Sequence, residues 1–171
     1  MVKNKLMPTI VLTAICIIVA LVLSVANMFT STVIEEAQKE KEAEALRVVY
    51  PSGESFDPIN IEGRGLPASI AEAYAANDGG YVFKAAVAGY KSGLVIMIGV
   101  DGNGAITDTK WVESQETNGA EDSLNGAYNG KSASDLEAVI VGGSTKTSNG
   151  YHKAVRDALE AFEKLKGDTA Q

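Results

Sequence analysis

The sequence predicts a small α+β domain, in which an antiparallel sheet packs with helices, preceded by one N-terminal transmembrane helix. Three features support this prediction: a charge-free apolar segment, short apolar runs separated by glycine-rich turns, and an amphipathic C-terminal segment. The 171 residues contain 15 Lys+Arg and 22 Asp+Glu, giving a formal net charge of −7. Such a chain lacks the cationic surface that binds a phosphate backbone, so nucleic acid is not an expected partner.

The apolar segment Ile10–Phe29 contains 20 residues without a charge. As a helix it spans about 30 Å, the thickness of the hydrocarbon core. Lys3 and Lys5 precede it, so the positive-inside rule places residues 1–9 in the cytoplasm. We therefore expect an uncleaved, single-pass anchor over residues 10–30 of the cell (inner) membrane. A signal peptide is the main alternative, but this segment is long for one and no A-x-A cleavage site follows it.

Residues 31–49 are expected to form a helical stalk, because strong helix formers carry opposite charges three and four positions apart. Residues 50–171 then form the folded domain, outside the cytoplasm. This domain starts with residues 50–65, which have the proline and glycine content of a loop.

A short helix is expected next, over residues 67–77, where Ile70, Ala73 and Tyr74 recur at helical spacing after Pro67. Strands follow at 81–88, 94–100 and 105–112. Their connections at 89–93 and 101–104 are strong turn signals, so an antiparallel meander is the simplest topology. Apolar residues on one stripe of 151–166 predict a final amphipathic helix that packs on this sheet.

The segment with most chemical potential is Gly142–Gly150, GGSTKTSNG, which lies before this last helix. A helix N-terminus offers unpaired N–H groups and the positive end of the helix dipole, which suits a phosphate, and Lys146 can add charge. The spacing fits neither GxxxxGK[ST] nor GxGxxG. From the residues alone, an ordinary loop capped by Ser148 or Asn149 is an equal alternative.

The same segment resembles the S-G-A-T-x-[ST] signature of the FMN-binding domain, found in the G subunit of the Rnf electron-transport complex and the C subunit of the sodium-translocating NADH:quinone oxidoreductase. Gly143 matches the glycine, Thr145 the acceptor threonine and Thr147 the final hydroxyl. Gly142 and Ser144 depart from the signature, although both are small. The resemblance implies that a flavin transferase esterifies the phosphate of FMN to the Thr145 hydroxyl.

The resemblance also implies the surroundings of the cofactor. Gly143, Ser144, Lys146 and Thr147 would line the phosphate end. Residues 89–93 are similar to a G-Y-x-G motif of the family, and residues 116–119 stand where the family has E-T-P-G, near the isoalloxazine ring. Glu116 and Thr117 are therefore candidate flavin contacts, and a simple polar turn is the alternative.

The implied function is that of a membrane-anchored electron-transfer subunit in an Rnf-type ferredoxin:NAD oxidoreductase that couples electron flow to Na⁺ or H⁺ translocation. The chain would be an electron relay among other membrane and redox subunits, not a complete enzyme. A C-type subunit of the quinone reductase, a separate extracytosolic flavoprotein and an anchored non-redox binding module are the alternatives.

No catalytic or metal-binding residue of the chain itself is expected. Cys16 and His152 are the only cysteine and the only histidine in the sequence, which leaves no Cys/His metal set and no Cys/His nucleophile pair. His152 is expected to be a surface or helix-packing residue rather than a proton donor to the flavin. Trp111 and Tyr151 are expected in the core.

Overall fold

The computed structural model describes the backbone of residues 3–113 and 119–169, and the side chains of residues 10–24, 41–112 and 119–168. The helices and strands follow the order α1 (Lys3–Val49), β1 (Phe56–Ile59), β2 (Ile70–Ala76), β3 (Tyr81–Ala88), β4 (Ser92–Val100), β5 (Ile106–Glu113), α2 (Glu121–Leu124) and α3 (Thr145–Thr169). Strands followed by packed helices confirm the α+β class.

The sheet is an antiparallel meander in the order β1-β2-β3-β4-β5. The three strands predicted from the sequence are confirmed, and β4 begins at Ser92, two residues before its apolar run. Tyr81 of β3 pairs with Val100 of β4, and Ala88 pairs with Ser92 across a register shift. The apolar run of β4 is explained by its interior position between β3 and β5, because a strand covered on both faces needs no polar alternation.

The prediction of a helix over residues 67–77 is wrong, because Ile70–Ala76 is strand β2. It pairs with β1 on one side and with β3 on the other. A register shift lies between Ile70 and Glu72, and because of it Ile70 and Ala73, three positions apart in sequence, are both buried. This β-bulge explains the error, since three-residue spacing of apolar positions is also the pattern of a helix.

Strand β1, Phe56–Ile59, lies in the segment predicted as a loop. It is an edge strand paired only with β2. Pro58 is compatible with this position, because an edge strand can lack one ladder donor. The turn residues of this segment therefore flank a short strand instead of forming one long loop.

One face of the sheet is covered by α3. Its amphipathic stripe, predicted from the sequence, is buried against β3 and β4 and forms one side of the main hydrophobic core. The buried hydrophobic residues on α3 are Tyr151, Ala154, Val155, Ala158, Leu159, Ala161, Phe162 and Leu165.

The other face of the sheet is covered by the last turns of α1. Leu46 and Val49 are buried there together with Val82 and Met97. Thr107 Oγ1 donates a hydrogen bond to the Val49 carbonyl oxygen at 2.5 Å. The compact unit of the fold consequently starts at residue 42, within the segment expected to be a solvated stalk.

An ion-pair cluster joins these last turns of α1 to the sheet. Lys84 on β3 contacts the carboxylates of both Glu42 on α1 and Glu72 on β2. Tyr74 donates a further hydrogen bond to Glu72. The sequence pattern assigns no role to the stalk glutamates, yet one of them is bound in this cluster.

The N-terminal unit comprises residues 1–41. Its described side chains, residues 10–24, include large apolar residues that are at least half exposed. Within the part of the chain that the structure describes, no helix meets the length and apolarity needed to cross a membrane. The predicted anchor also includes residues 25–30, whose side chains lie outside the described set.

Candidate functional site

The glycine- and hydroxyl-rich segment is a short turn followed directly by helix. Thr145 is the first residue of α3, so the predicted helix start at Tyr151 is six residues too late. Ser148 and Asn149, considered as caps in the loop alternative, lie inside the helix instead. The turn itself is closed by the Ser144 N–H, which donates to the Val141 carbonyl oxygen at 3.0 Å.

Tertiary contacts hold these weak helix formers in a helix. The Ser148 hydroxyl is fully buried; it accepts from the Val141 N–H and donates to the Ser144 carbonyl oxygen, both at 3.0 Å. Gly150 packs on the end of β3, where an added Cβ would lie 2.5 Å from the Ala88 carbonyl oxygen. Local propensity predicts a later helix start, and these contacts override it.

The turn presents an accessible main chain ahead of the helix. Gly143 has φ +81°, a left-handed conformation that disfavours other residues. Apart from the adjoining residues, no atom of the described part of the chain lies within 4 Å of a Cβ built on Gly142 or on Gly143. A ligand therefore has unobstructed access to the start of α3 from this side.

A pocket of about 280 Å³ lies at this end of α3. It is lined by Tyr90, Gly143, Ser144, Thr145, Lys146 and Thr147. Every residue that the resemblance placed at the phosphate end of FMN thus lines one pocket. Thr145 and Lys146 are exposed, whereas Ser144 and Thr147 are buried on the protein side of the turn.

Backbone and side-chain groups at this pocket offer the hydrogen-bond donors and positive charge that an anion would need. The first hydrogen bond of the helix ladder runs from the Ser148 N–H to the Ser144 carbonyl oxygen at 2.9 Å. The N–H groups of Thr145 and Lys146 precede it and have no intrahelical acceptor. Together with the helix dipole and the Lys146 ammonium, they match the donor set that a phosphate requires.

Tyr90 is a site residue that the sequence interpretation does not assign. It lies in the β3–β4 turn, and its ring lies 5.7 Å from the Lys146 Nζ, measured to the ring centre. In the sequence this turn stands out for its glycines and for its similarity to G-Y-x-G. The packing of α3 on β3, which includes the contact of Gly150 with Ala88, brings that turn to the start of α3. A local sequence pattern carries no sign of this packing.

The buried aromatic residues behind α3 are core residues, as expected. Trp111 and Tyr151 are 6.3 Å apart between ring centres, and Tyr128 stacks on Tyr151. His152 packs against Tyr128, and burial, aided by Arg156, lowers its pKa. A neutral, packed imidazole agrees with the expectation that His152 is a packing residue.

Glu116 and Thr117, the two candidate ring contacts, lie outside the described residues. They belong to residues 114–118, between β5 and α2. Their role stays a prediction.

Comparison with known proteins shows what the region around this pocket is similar to. Residues 89–160 match the FMN-binding domain family. This part of the chain is therefore similar to the FMN-binding domain. The matched region begins in the β3–β4 turn and ends within α3, so it contains both sides of the pocket, Tyr90 and Thr145.

The chain is also similar to a relative along most of its length. It is 26% identical over 175 aligned residues to the G subunit of the proton-translocating ferredoxin:NAD(+) oxidoreductase complex of Clostridium ljungdahlii. The alignment covers 91% of this chain and 90% of the relative. The similarity to the FMN-binding domain and to the Rnf G subunit, first inferred from short motifs, is confirmed.

Proposed function

We propose that this chain carries FMN esterified to Thr145 and relays electrons as the G subunit of an Rnf-type ferredoxin:NAD oxidoreductase. The observation that carries the proposal is the position of Thr145. It is exposed at the first position of α3, it lines the pocket at that helix end, and it lies within the region that matches the FMN-binding domain.

The residues around Thr145 fit the phosphate of FMN. The transferase forms the bond between Thr145 Oγ and the FMN phosphorus and breaks the bond from that phosphorus to the second nucleotide of a flavin dinucleotide. That nucleotide leaves as a nucleoside monophosphate, the threonine hydroxyl loses its proton to the solution, and the resulting diester keeps one negative charge. A charge at this place is stabilised by the helix N-terminus by about 0.3–1 kcal/mol. The Lys146 ammonium adds a mobile counter-charge, and Gly143 leaves room for the phosphate oxygens.

The protein and the flavin have separate roles in this proposal. When bound, FMN supplies the electron-transfer chemistry, and the chain's residues supply position, hydrogen bonds and charge. Attachment through the phosphate leaves the ring system chemically unmodified. A covalent bond also prevents loss of the cofactor from a domain outside the cytoplasm, where free FMN is not supplied.

Partners and location follow from the same proposal. A flavin transferase loads Thr145, and the other membrane and redox subunits exchange electrons with the flavin. Residues 10–30 anchor the chain in the cell membrane, with the C-terminal domain on the extracytoplasmic side. The named relative is proton-translocating, and in this complex the coupling ion is Na⁺ or H⁺, moved by other subunits.

Intact-protein mass spectrometry tests the attachment. The full chain is co-expressed with a flavin transferase, purified in detergent and compared with Thr145→Val, which removes the hydroxyl from an exposed position without changing side-chain volume much. Asn149→Ala, also exposed on the first turns of α3, is the matched control. We expect the mass of one esterified FMN on the wild type and on the control, and none on Thr145→Val.

Colour gives a second readout of the same experiment. The wild type should stay yellow after denaturation and gel filtration, because the flavin is covalently bound. A colourless wild type without added mass, despite an active transferase, would contradict the proposal and favour an anchored binding module whose residues 142–150 form an ordinary turn and helix start.

A further inference from the structure

The β3–β4 turn presents an aromatic ring beside the proposed attachment point. Tyr90 is 68% exposed. In the described part of residues 42–171, the other large hydrophobic side chains with substantial exposure are Val48 and Ile140. An isolated exposed apolar residue needs no explanation, but Tyr90 forms a wall of the pocket that contains Thr145.

The main chain fixes where Tyr90 stands. The turn is closed by a hydrogen bond from the Gly89 N–H to the Lys91 carbonyl oxygen at 3.0 Å. Gly150 of α3 packs against it so closely that an added Cβ would lie 3.4 Å from Gly89 Cα. Backbone contacts between the turn and the helix therefore fix the backbone positions of Tyr90 and Thr145 relative to each other without a ligand.

The ammonium group of Lys146 lies over one face of the Tyr90 ring. The Lys146 ammonium lies 5.7 Å from the ring centre, at the distance of a cation–π contact. Lys146 is also the nearest side-chain cation in sequence to the Thr145 hydroxyl. A phosphodiester on Thr145 would attract this ammonium more strongly than an exposed ring does, because the diester carries a full charge.

We propose that the Tyr90 ring is the platform on which the isoalloxazine ring of the attached FMN stacks, and that Lys146 moves from the Tyr90 face to the phosphodiester when FMN is loaded. This inference rests on the proposed function. The five-carbon ribityl chain between phosphate and ring is long and flexible enough to fold back across the pocket. Stacking of flat aromatic systems is favourable on an exposed ring whose backbone is already fixed by the turn, because less backbone entropy is lost on binding.

Flavin fluorescence reports such stacking directly, because a tyrosine in van der Waals contact quenches the excited isoalloxazine by electron donation. The full chain, co-expressed with a flavin transferase, is compared with Tyr90→Leu and Tyr90→Phe. Tyr81→Phe is the matched control, since Tyr81 lies at the opposite end of β3 from the turn. Bound FMN is counted by intact mass, and fluorescence is expressed per bound flavin, so that a loading defect does not obscure the result.

We expect strong quenching in the wild type and in Tyr81→Phe relative to the denatured proteins. Fluorescence per flavin should rise several-fold in Tyr90→Leu and to an intermediate level in Tyr90→Phe, which stacks but is a poorer electron donor. Equal fluorescence in the wild type and Tyr90→Leu, with FMN attached to both, would overturn the platform while leaving attachment at Thr145 intact. Absence of FMN from the wild type would instead refute the proposed function and the platform with it.

Discussion

Gly150 on α3 lies against the carbonyl oxygen of Ala88 at the end of β3, so close that a methyl group at Gly150 would come within 2.5 Å of that oxygen. This contact packs the two sides of the pocket against each other. On one side the turn carries Tyr90, and on the other the first turn of α3 carries Thr145. The geometry of the site therefore depends on a residue with no functional group.

Replacing this glycine should disturb both stability and the site. Gly150→Ala should lower the free energy of unfolding by about 1–3 kcal/mol, because backbone must move to accommodate the methyl group. Urea denaturation followed by circular dichroism measures this change. Flavin loading should fall as well, since the turn is displaced from the helix start.

A second glycine on the same helix provides the control. Gly167 has no atom within 4 Å of an added Cβ, so Gly167→Ala should raise helix propensity and stabilise the protein by about 0.5–1 kcal/mol. Equal effects of the two substitutions would show that propensity, not the contact with Ala88, determines the result.

The buried hydroxyl of Ser148 should be essential for the turn before α3. Ser148→Ala removes two hydrogen bonds and leaves the Val141 N–H without its acceptor. We expect a loss of about 1–3 kcal/mol in the free energy of unfolding and slower flavin transfer to Thr145. The exposed neighbour variant Asn149→Ala should stay within about 0.5 kcal/mol of the wild type. A Ser148→Ala protein as stable as Asn149→Ala would refute this role.

Asp157 should make the stability of the domain depend on pH. Burial alone would raise the pKa of this carboxyl group, but hydrogen bonds from Lys153, Ser69 and Arg156 outweigh it and hold the pKa below its usual value. The Ser69 hydroxyl donates to Asp157 Oδ2 at 2.6 Å. A depressed pKa in the folded state contributes stability above the unfolded pKa, near about 3.9, and that contribution is lost as the pH falls toward the folded value.

The variant Asp157→Asn tests this dependence. At pH 7 it should be less stable than the wild type by about 1–3 kcal/mol, and the difference should shrink as the pH falls below about 4. Urea titrations at a series of pH values measure the difference. A gap that stays constant from pH 7 to pH 3 would show that the ionised carboxylate is not the stabilising group.

Lys84 should hold the last turns of α1 on the sheet. Its side chain is one-quarter exposed and contacts Glu42 and Glu72. Lys84→Met leaves two carboxylates without their shared cation, and we expect a cost of about 1–2 kcal/mol, between the values for exposed and buried pairs. Adding Glu42→Gln should recover part of that loss, because one unpaired charge is removed. If the double variant is no more stable than Lys84→Met, the proposed pairing of Lys84 with Glu42 is contradicted.

Local patterns are sufficient for the parts of the fold that local interactions determine. The alternation in β5, the apolar run of β4 and the stripe on α3 are all evident in the sequence. The bulge at Ile70 is not, because its spacing is also that of a helix. The start of α3 escapes prediction for a related reason: burial of Ser148 and close packing of Gly150 are contacts between distant parts of the chain.

The candidate site divides in the same way. Thr145 can be predicted, because it stands in a short contiguous signature. Tyr90 is 55 positions away in sequence, and only the packing of α3 on β3 brings it into the pocket. Glu42 looks like one of many charged residues on a helix, since the identity of its partner on β3 is set by the fold.

The most direct test of the central claim is to locate the flavin by peptide mapping of the transferase-loaded chain. Trypsin cleaves after Lys131, Lys146 and Lys153, so Thr145 falls in the peptide 132–146, whereas Thr147 and Ser148 fall in 147–153. We predict the mass of FMN on peptide 132–146, with fragment ions that place it on Thr145. Flavin on peptide 147–153, or on neither peptide of a loaded and active complex, would contradict the assignment of Thr145 as the attachment residue.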